Sequence, residues 1–178
     1  MTGLRRAFLA VVPPPAARAW AESAANSAAS IAPDLRWTRI EQRHLTLQFL
    51  GAVPDPSRVA EFVTESARAR APFTLSLGGG GAFPDPSRAS VLWLGVQQGS
   101  GALTALATSL SSLSSDDREF RAHLTLARAR TPGDLRQVVA ALDACGESAP
   151  WTVDEVVLFD SDGAVHAEQA RFTLGTAS

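Results

Sequence analysis

His44-Leu45-Thr46-Leu47 and His123-Leu124-Thr125-Leu126 are the same tetrapeptide, and they use two of the three histidines in the chain. Each copy alternates as a β-strand does, with successive side chains on opposite faces. Leu45 and Leu47 share one face, and His44 and Thr46 the other; Leu124 and Leu126 oppose His123 and Thr125 in the same way. The leucine faces require cover, and helices are the usual cover for one face of an antiparallel sheet. A chain with two such strands is therefore expected to build two related lobes, each a sheet with helices on one side. The two polar faces would meet across a groove.

The remaining elements fit an α+β class. LRRAFLAVV (4–12) reads as a strand closed by Pro13–Pro15, and the alanine-rich stretch 16–30 as a helix. LRWTRI (35–40) reads as a short strand or extended approach to the first motif. A helix is expected over 54–70 with Ser57 as its cap, then a strand over 73–83, a turn at PDPSR, a buried strand over 90–96 and a helix over 103–113. The second motif lies in an expected strand over 119–128, followed by a turn at Thr131–Gly133 and a helix over 134–144. Strands at 151–160 and 166–175 pair as a hairpin across Ser161-Asp162-Gly163. Gly78–Gly81 is followed by Ala-Phe-Pro and another strand rather than by a helix. That reads as a turn or bulge, not as a phosphate-cradling loop.

Composition narrows the function classes. The net charge of −2 argues against a broad nucleic-acid surface, although a focused basic patch remains compatible with it. All 16 basic residues are arginine, whose planar fork pairs with phosphate oxygens bidentately. No apolar run approaches the ~20 residues needed to span a bilayer. The start, MTGLRRAFLAVVPPP, resembles a signal peptide superficially, but its apolar core is short and closed by prolines. Cys145 is the only cysteine, so no internal disulfide is available, and a reducing cytoplasmic location is expected.

Two imidazoles and two hydroxyls point to acid–base work. Zinc takes three or four ligands, and neither HLTL offers a third at a useful spacing. A serine hydrolase would need a nucleophile elbow, which is absent. Histidines with ordinary pKa values near 6.5 can instead divide the roles of general acid and general base near neutral pH. The threonine hydroxyls can donate to the non-bridging oxygens of a phosphate held between them. Displacement at phosphorus, with base and acid on opposite sides, matches this set. His166, on the separate hairpin, reads as a surface residue.

With these residues in view, the chain resembles the 2H phosphoesterases, and within them the bacterial and archaeal RNA 2′,3′-cyclic phosphodiesterases first described as 2′–5′ RNA ligases. The resemblance runs through LRRAFLAVVPP, Arg36-Trp37, HLTLQFLG, GAFPDPSRASVLWLGV, FRAHLTLAR and VDEVVLFDS. It implies one bilobal, pseudo-twofold domain over residues 1–178, with two antiparallel sheets lining a central cleft, helices outside and terminal strands crossing between lobes. It implies that His44 is the proton donor, His123 the proton acceptor, and that Thr46 and Thr125 hold the phosphate. Arg128 corresponds to a phosphate-binding arginine, although strict alternation puts it on the face opposite His123. A bulge or the end of the strand after Leu126 would remove that conflict. Phe49 raises the same conflict as a base-stacking residue, with a place in the core as its other reading. The implied activity is hydrolysis of an RNA terminal 2′,3′-cyclic phosphate by a monomer without metal or cofactor. The alternatives are an RNA- or nucleotide-end-binding module with little turnover, and 2′–5′ end joining as a side activity. Two departures stand out. Ala122 replaces the proline common before the second histidine, and the stretch after LFDS is short and carries His166.

Overall fold

The structure is a computed structural model that describes residues 3–116, 118–163 and 165–175. Its strands are β1 (Leu4–Val11), β2 (Arg36–Trp37), β3 (Leu45–Val53), β4 (Phe73–Leu75), β5 (Leu77–Phe83), β6 (Ala89–Val96), β7 (Leu124–Gly133), β8 (Trp151–Val153), β9 (Glu155–Ser161) and β10 (His166–Thr173). The helices are α1 (Pro15–Ala29), α2 (Pro56–Arg68), α3 (Ser100–Ser109) and α4 (Arg136–Asp143).

The main sheet has the order β10-β9-β1-β3-β7-β6-β5, with β2 pairing off β7, and β4 and β8 form a second, two-stranded sheet. All recorded pairings are antiparallel. The expected α+β class and antiparallel sheets are present, but their division is different in detail. The strands around the two motifs belong to one sheet, made of halves β10-β9-β1-β3 and β7-β6-β5. Among the described residues only Leu45 and Leu124 are bridged between these halves. β4–β8 lies outside this junction.

Local sequence explains the elements and the departures from expectation. In α1, Pro15 sits in the first turn, where its missing N–H costs nothing, and Ala17, Ala21, Ala24, Ala25 and Ala28 form its buried stripe. Asp55, rather than Ser57, caps α2: its carboxylate accepts from Ser57 N at 3.1 Å. The expected strands over 73–83 and 151–160 are each interrupted, at Ser76 and Asp154, and the short first piece of each goes to the small sheet. The helix expected over 103–113 starts earlier, at Ser100, and ends in a separate 3-10 turn at Ser111–Leu113. Thr131–Gly133, expected to be a turn, continues β7.

The four glycines lie inside β5, where a register shift against β6 falls between Leu77 and Gly80. The bulge reading applies, and packing explains it. A Cβ on Gly80 would lie 2.6 Å from the Val139 carbonyl oxygen of α4, and one on Gly81 would lie 2.1 Å from the Trp93 indole. Helix and ring press directly on the backbone here. The motif leucines do as expected. Leu45, Leu47, Leu124 and Leu126 are buried in a core shared with Leu92, Leu94, Leu103 and Leu106.

Candidate active site

The Leu45–Leu124 bridge positions both motifs at once. In an antiparallel pair, one step either way sets His44 across from Thr125 and Thr46 across from His123. All four side chains are then on the face opposite the leucines, related by a local twofold through the bridge. They line a cleft of ≈ 680 Å³ together with Phe49 and Arg128. The structure therefore brings all six residues singled out from the sequence to one cavity.

Arg128 and Phe49 reach that cavity for the same reason. β6 pairs Trp93 with Thr125 but Leu92 with Ala127, so Leu126 is an extra residue on β7. Leu126 and Ala127 are consecutively buried, and Arg128 returns to the cleft face. On β3, β1 pairs Ala10 with Thr46 but Leu9 with Gln48, which leaves Leu47 as the extra residue. Gln48 turns to the helix side, where its Nε2 donates to Ala107 O of α3 at 2.8 Å, and Phe49 faces the cleft, half exposed. Each motif thus carries a β-bulge three residues after its histidine, and each bulge reverses the alternation for the residue five after it.

The two imidazoles are held alike. His44 Nδ1 lies 2.7 Å from Gln42 O, and His123 Nδ1 lies 2.6 Å from Arg121 O. A carbonyl can only accept, so Nδ1 carries the proton and Nε2 is left for proton transfer. The turn that presents Gln42 O is anchored by Arg43. This buried residue donates from Nη2 to Thr38 O at 3.1 Å and pairs with Glu22 of α1 at 2.5 Å. His123 is wedged edge-on to Phe83, with ring centroids 4.9 Å apart.

His44 stacks on Phe8 at 4.7 Å, and Phe8 stacks in turn on Phe159 of β9 at 5.2 Å. His166 is not the surface residue the sequence suggested. It lines the cleft, edge-on to His44 with ring centroids 5.3 Å apart. The hairpin β9–β10 pairs with β1, which carries Phe8, and this pairing swings His166 inward. Nothing in its immediate sequence signals that long-range partner. Arg6, Phe8 and Arg36 also line the cleft; they lay in stretches that carried the resemblance but were not named as site residues.

Electrostatics favour neutral rings. Burial lowers the His44 pKa from 6.5 to about 4; the Gln42 carbonyl works against this, and the nearby His166 and His123 add to it. His123 is lowered chiefly by burial, with the Arg121 carbonyl opposing and the Arg128 charge reinforcing. An anion held between the rings would act in the opposite sense and favour the imidazolium. Among the described residues, no group of three or more His, Cys, Asp or Glu is arranged to hold a metal ion. No helix among them is long and apolar enough to cross a membrane.

The chain matches the family model of the 2′-5′ RNA ligase superfamily over residues 13–164. It belongs to that superfamily. Superfamily relatives include the RNA 2′,3′-cyclic phosphodiesterase of Aquifex aeolicus, 31% identical over a match that covers 54% of this chain and 56% of that protein. The chain thus spans little more than half the length of that relative. The RNA 2′,3′-cyclic phosphodiesterase of Methanothermobacter thermautotrophicus is 29% identical over a match that covers 95% of this chain and 98% of the relative. Among solved structures, TT0787 of Thermus thermophilus superposes with a TM-score of 0.75 at 26% identity, covering 97% of this chain and all of that one. The resemblance first read from the two HLTL segments and their flanks is borne out at the level of the superfamily.

Proposed function

We propose that this protein hydrolyses the terminal 2′,3′-cyclic phosphate of RNA to a 2′-phosphomonoester, with His44 as general acid and His123 as general base. One observation carries the reading: two histidines face one cleft from adjacent strands, each with Nδ1 tied to a carbonyl and Nε2 left to transfer protons. Two relatives bear the name of that activity. Residues 1–178 act in this reading as one domain whose two related lobes each supply one motif.

Nε2 of His123 takes a proton from water as its oxygen forms the new bond to phosphorus. The bond from phosphorus to the 3′ oxygen breaks in line, and protonated His44 delivers its proton to that oxygen. The ring protons then re-equilibrate with solvent. Thr46, Thr125 and Arg128 donate to the non-bridging oxygens, where charge accumulates in the transition state. Phe49 offers its exposed face to a base. No metal enters these steps, because the chain supplies both acid and base. End joining with a 2′–5′ linkage would use the same groups in reverse.

The deciding experiment is product analysis on a defined oligoribonucleotide ending in a 2′,3′-cyclic phosphate. A 2′-phosphate product is expected. A 3′-phosphate product, or no turnover, would overturn the reading.

The pH dependence follows from the two shifts. Above about pH 4 the free enzyme progressively loses protonated His44, and below the lowered pKa of His123 it loses the neutral base. The kcat/KM profile should therefore be a bell with its maximum below pH 6.5, falling as pH rises through neutrality. Bound anion favours the imidazolium, so the alkaline limb of kcat should lie at higher pH than that of kcat/KM. A kcat/KM that climbs steadily from pH 5 to 9 would contradict the assignment.

Arg128 gives a second test. Arg128→Ala should lower kcat/KM by the equivalent of about 1.5–3 kcal/mol, the range for a charge-assisted hydrogen bond. Arg128→Lys should recover part of this, since it restores charge without the fork. Loss of the Arg128 charge should also shift one limb of the kcat/KM profile to higher pH, because that charge helps keep His123 low.

A further inference from the structure

We infer that Arg6 and His166 form a subsite for the phosphate on the 5′ side of the terminal cyclic nucleotide. The inference rests on the proposed function, because the assignment of His44 as acid fixes the direction of the substrate. An in-line displacement puts the attacking water on the His123 side and the departing 3′ oxygen on the His44 side. The ribose carbon bearing that oxygen, and beyond it the 4′ and 5′ carbons, must then extend past His44. The next phosphate of the strand lies in that direction.

The cleft beyond His44 is lined by Arg6 of β1, His166 of β10 and the turn containing Ser161 and Gly163. His166 is the residue against His44 on that side. Its Nδ1 is 3.1 Å from Ser161 Oγ. With the serine hydroxyl donating to Nδ1, Nε2–H can donate to a phosphate oxygen while the ring is neutral. Arg6 lies over the turn: a Cβ on Gly163, whose φ is +96°, would stand 3.3 Å from Arg6 Nη1. Glycine at that position keeps the approach to the guanidinium open. Among the described residues, no carboxylate forms an ion pair with Arg6.

The two acidic groups nearby are committed to backbone. Asp160 Oδ1 accepts from the Arg5 and Arg6 amides at 3.1 and 2.9 Å, and Asp162 Oδ1 accepts from Val165 N at 2.8 Å. Their bonds fix the turn and the start of β1, so the carboxylates shape the subsite without filling it. A cation and an imidazole N–H lining the same cleft make a site for one phosphate group. The predicted consequence is selectivity: a nucleotide with a phosphate at its 5′ position is processed better than a nucleoside 2′,3′-cyclic phosphate with a free 5′ hydroxyl.

Three substrates test this: adenosine 2′,3′-cyclic phosphate, its 5′-phosphorylated form, and the dinucleotide ApA ending in a 2′,3′-cyclic phosphate. Each result is the ratio of kcat/KM for a 5′-substituted substrate to that for the unsubstituted one in the same protein. Damage to folding or to His44 scales both values and cancels. The parent ratio should be about tenfold or more, as one charge-assisted hydrogen bond allows. Arg6→Ala should bring it near one, Arg6→Lys should retain part of it, and His166→Gln should lower it. Preference confined to the dinucleotide would identify an internucleotide diester as the ligand, and preference for the 5′-phosphorylated mononucleotide a terminal monoester; either supports the subsite. A parent ratio of one, or a ratio unchanged in both Arg6→Ala and His166→Gln, overturns it. Turnover of none of the three substrates would instead overturn the proposed hydrolysis, and the subsite with it.

Discussion

His44→Ala and His123→Ala are each expected to slow hydrolysis of a 2′,3′-cyclic phosphate by about 10²–10⁴-fold, the usual contribution of a positioned acid or base. Both rings sit at the cleft end of a strand whose leucines hold it in place, so the substitutions should leave a folded protein. The two losses should not multiply. In the proposed mechanism acid and base act in one displacement, so the double variant should fall far less than the product of the single losses. The roles can be separated with a leaving group that departs without a proton. Such a substrate should restore much of the rate to His44→Ala and little to His123→Ala. The opposite pattern would exchange acid and base. Full activity in both folded variants would remove the histidines from the mechanism.

Leu124→Ala should cost about 2–5 kcal/mol of folding stability, read as a lower urea midpoint with an unchanged m-value. Leu124 is fully buried and pairs with Leu45 on one side and Leu94 on the other. It opens β7, between His123 just before the strand and Thr125 on it. Leu45→Ala should cost a similar amount, and because the two leucines meet across the same bridge their effects should couple rather than add. Near-zero cost for both would mean that the halves are joined elsewhere.

The candidate site was legible from sequence because its histidines and threonines are written twice in a pattern with a period of two. His44, Thr46, His123 and Thr125 required only that both leucine faces be buried, and they are. Phe49 and Arg128 were named against the pattern. Their arrival in the cleft depends on an extra residue at Leu47 and at Leu126, and a bulge leaves no mark in a string of leucines. His166 was misplaced because its position is set by the pairing of β9 with β1, strands separated by most of the chain. The breaks at Ser76 and Asp154 were missed for a related reason. Each long apolar stretch serves two sheets, and local propensity does not register a change of partner. The helices were the most readable elements, since alanine content and proline at the first turn act within a few residues.

The order in which these strands meet also sets a schedule for synthesis. The half of the sheet that carries His123 is drawn from β5, β6 and β7, within one run of chain, and among the described residues only β2 joins these strands from outside that run. The half that carries His44 is completed differently. Its central strand, β1, must wait for β9 and β10, which lie far behind it in chain order. Until then β1 has an unpaired edge, and Phe8 lacks the Phe159 ring that backs it behind His44. A nascent chain can therefore contain both histidines and both threonines and still lack the wall that confines one of them. Closing a contact of such long range is slow relative to local pairing. The wall behind His44 thus closes well after the motif itself has been made.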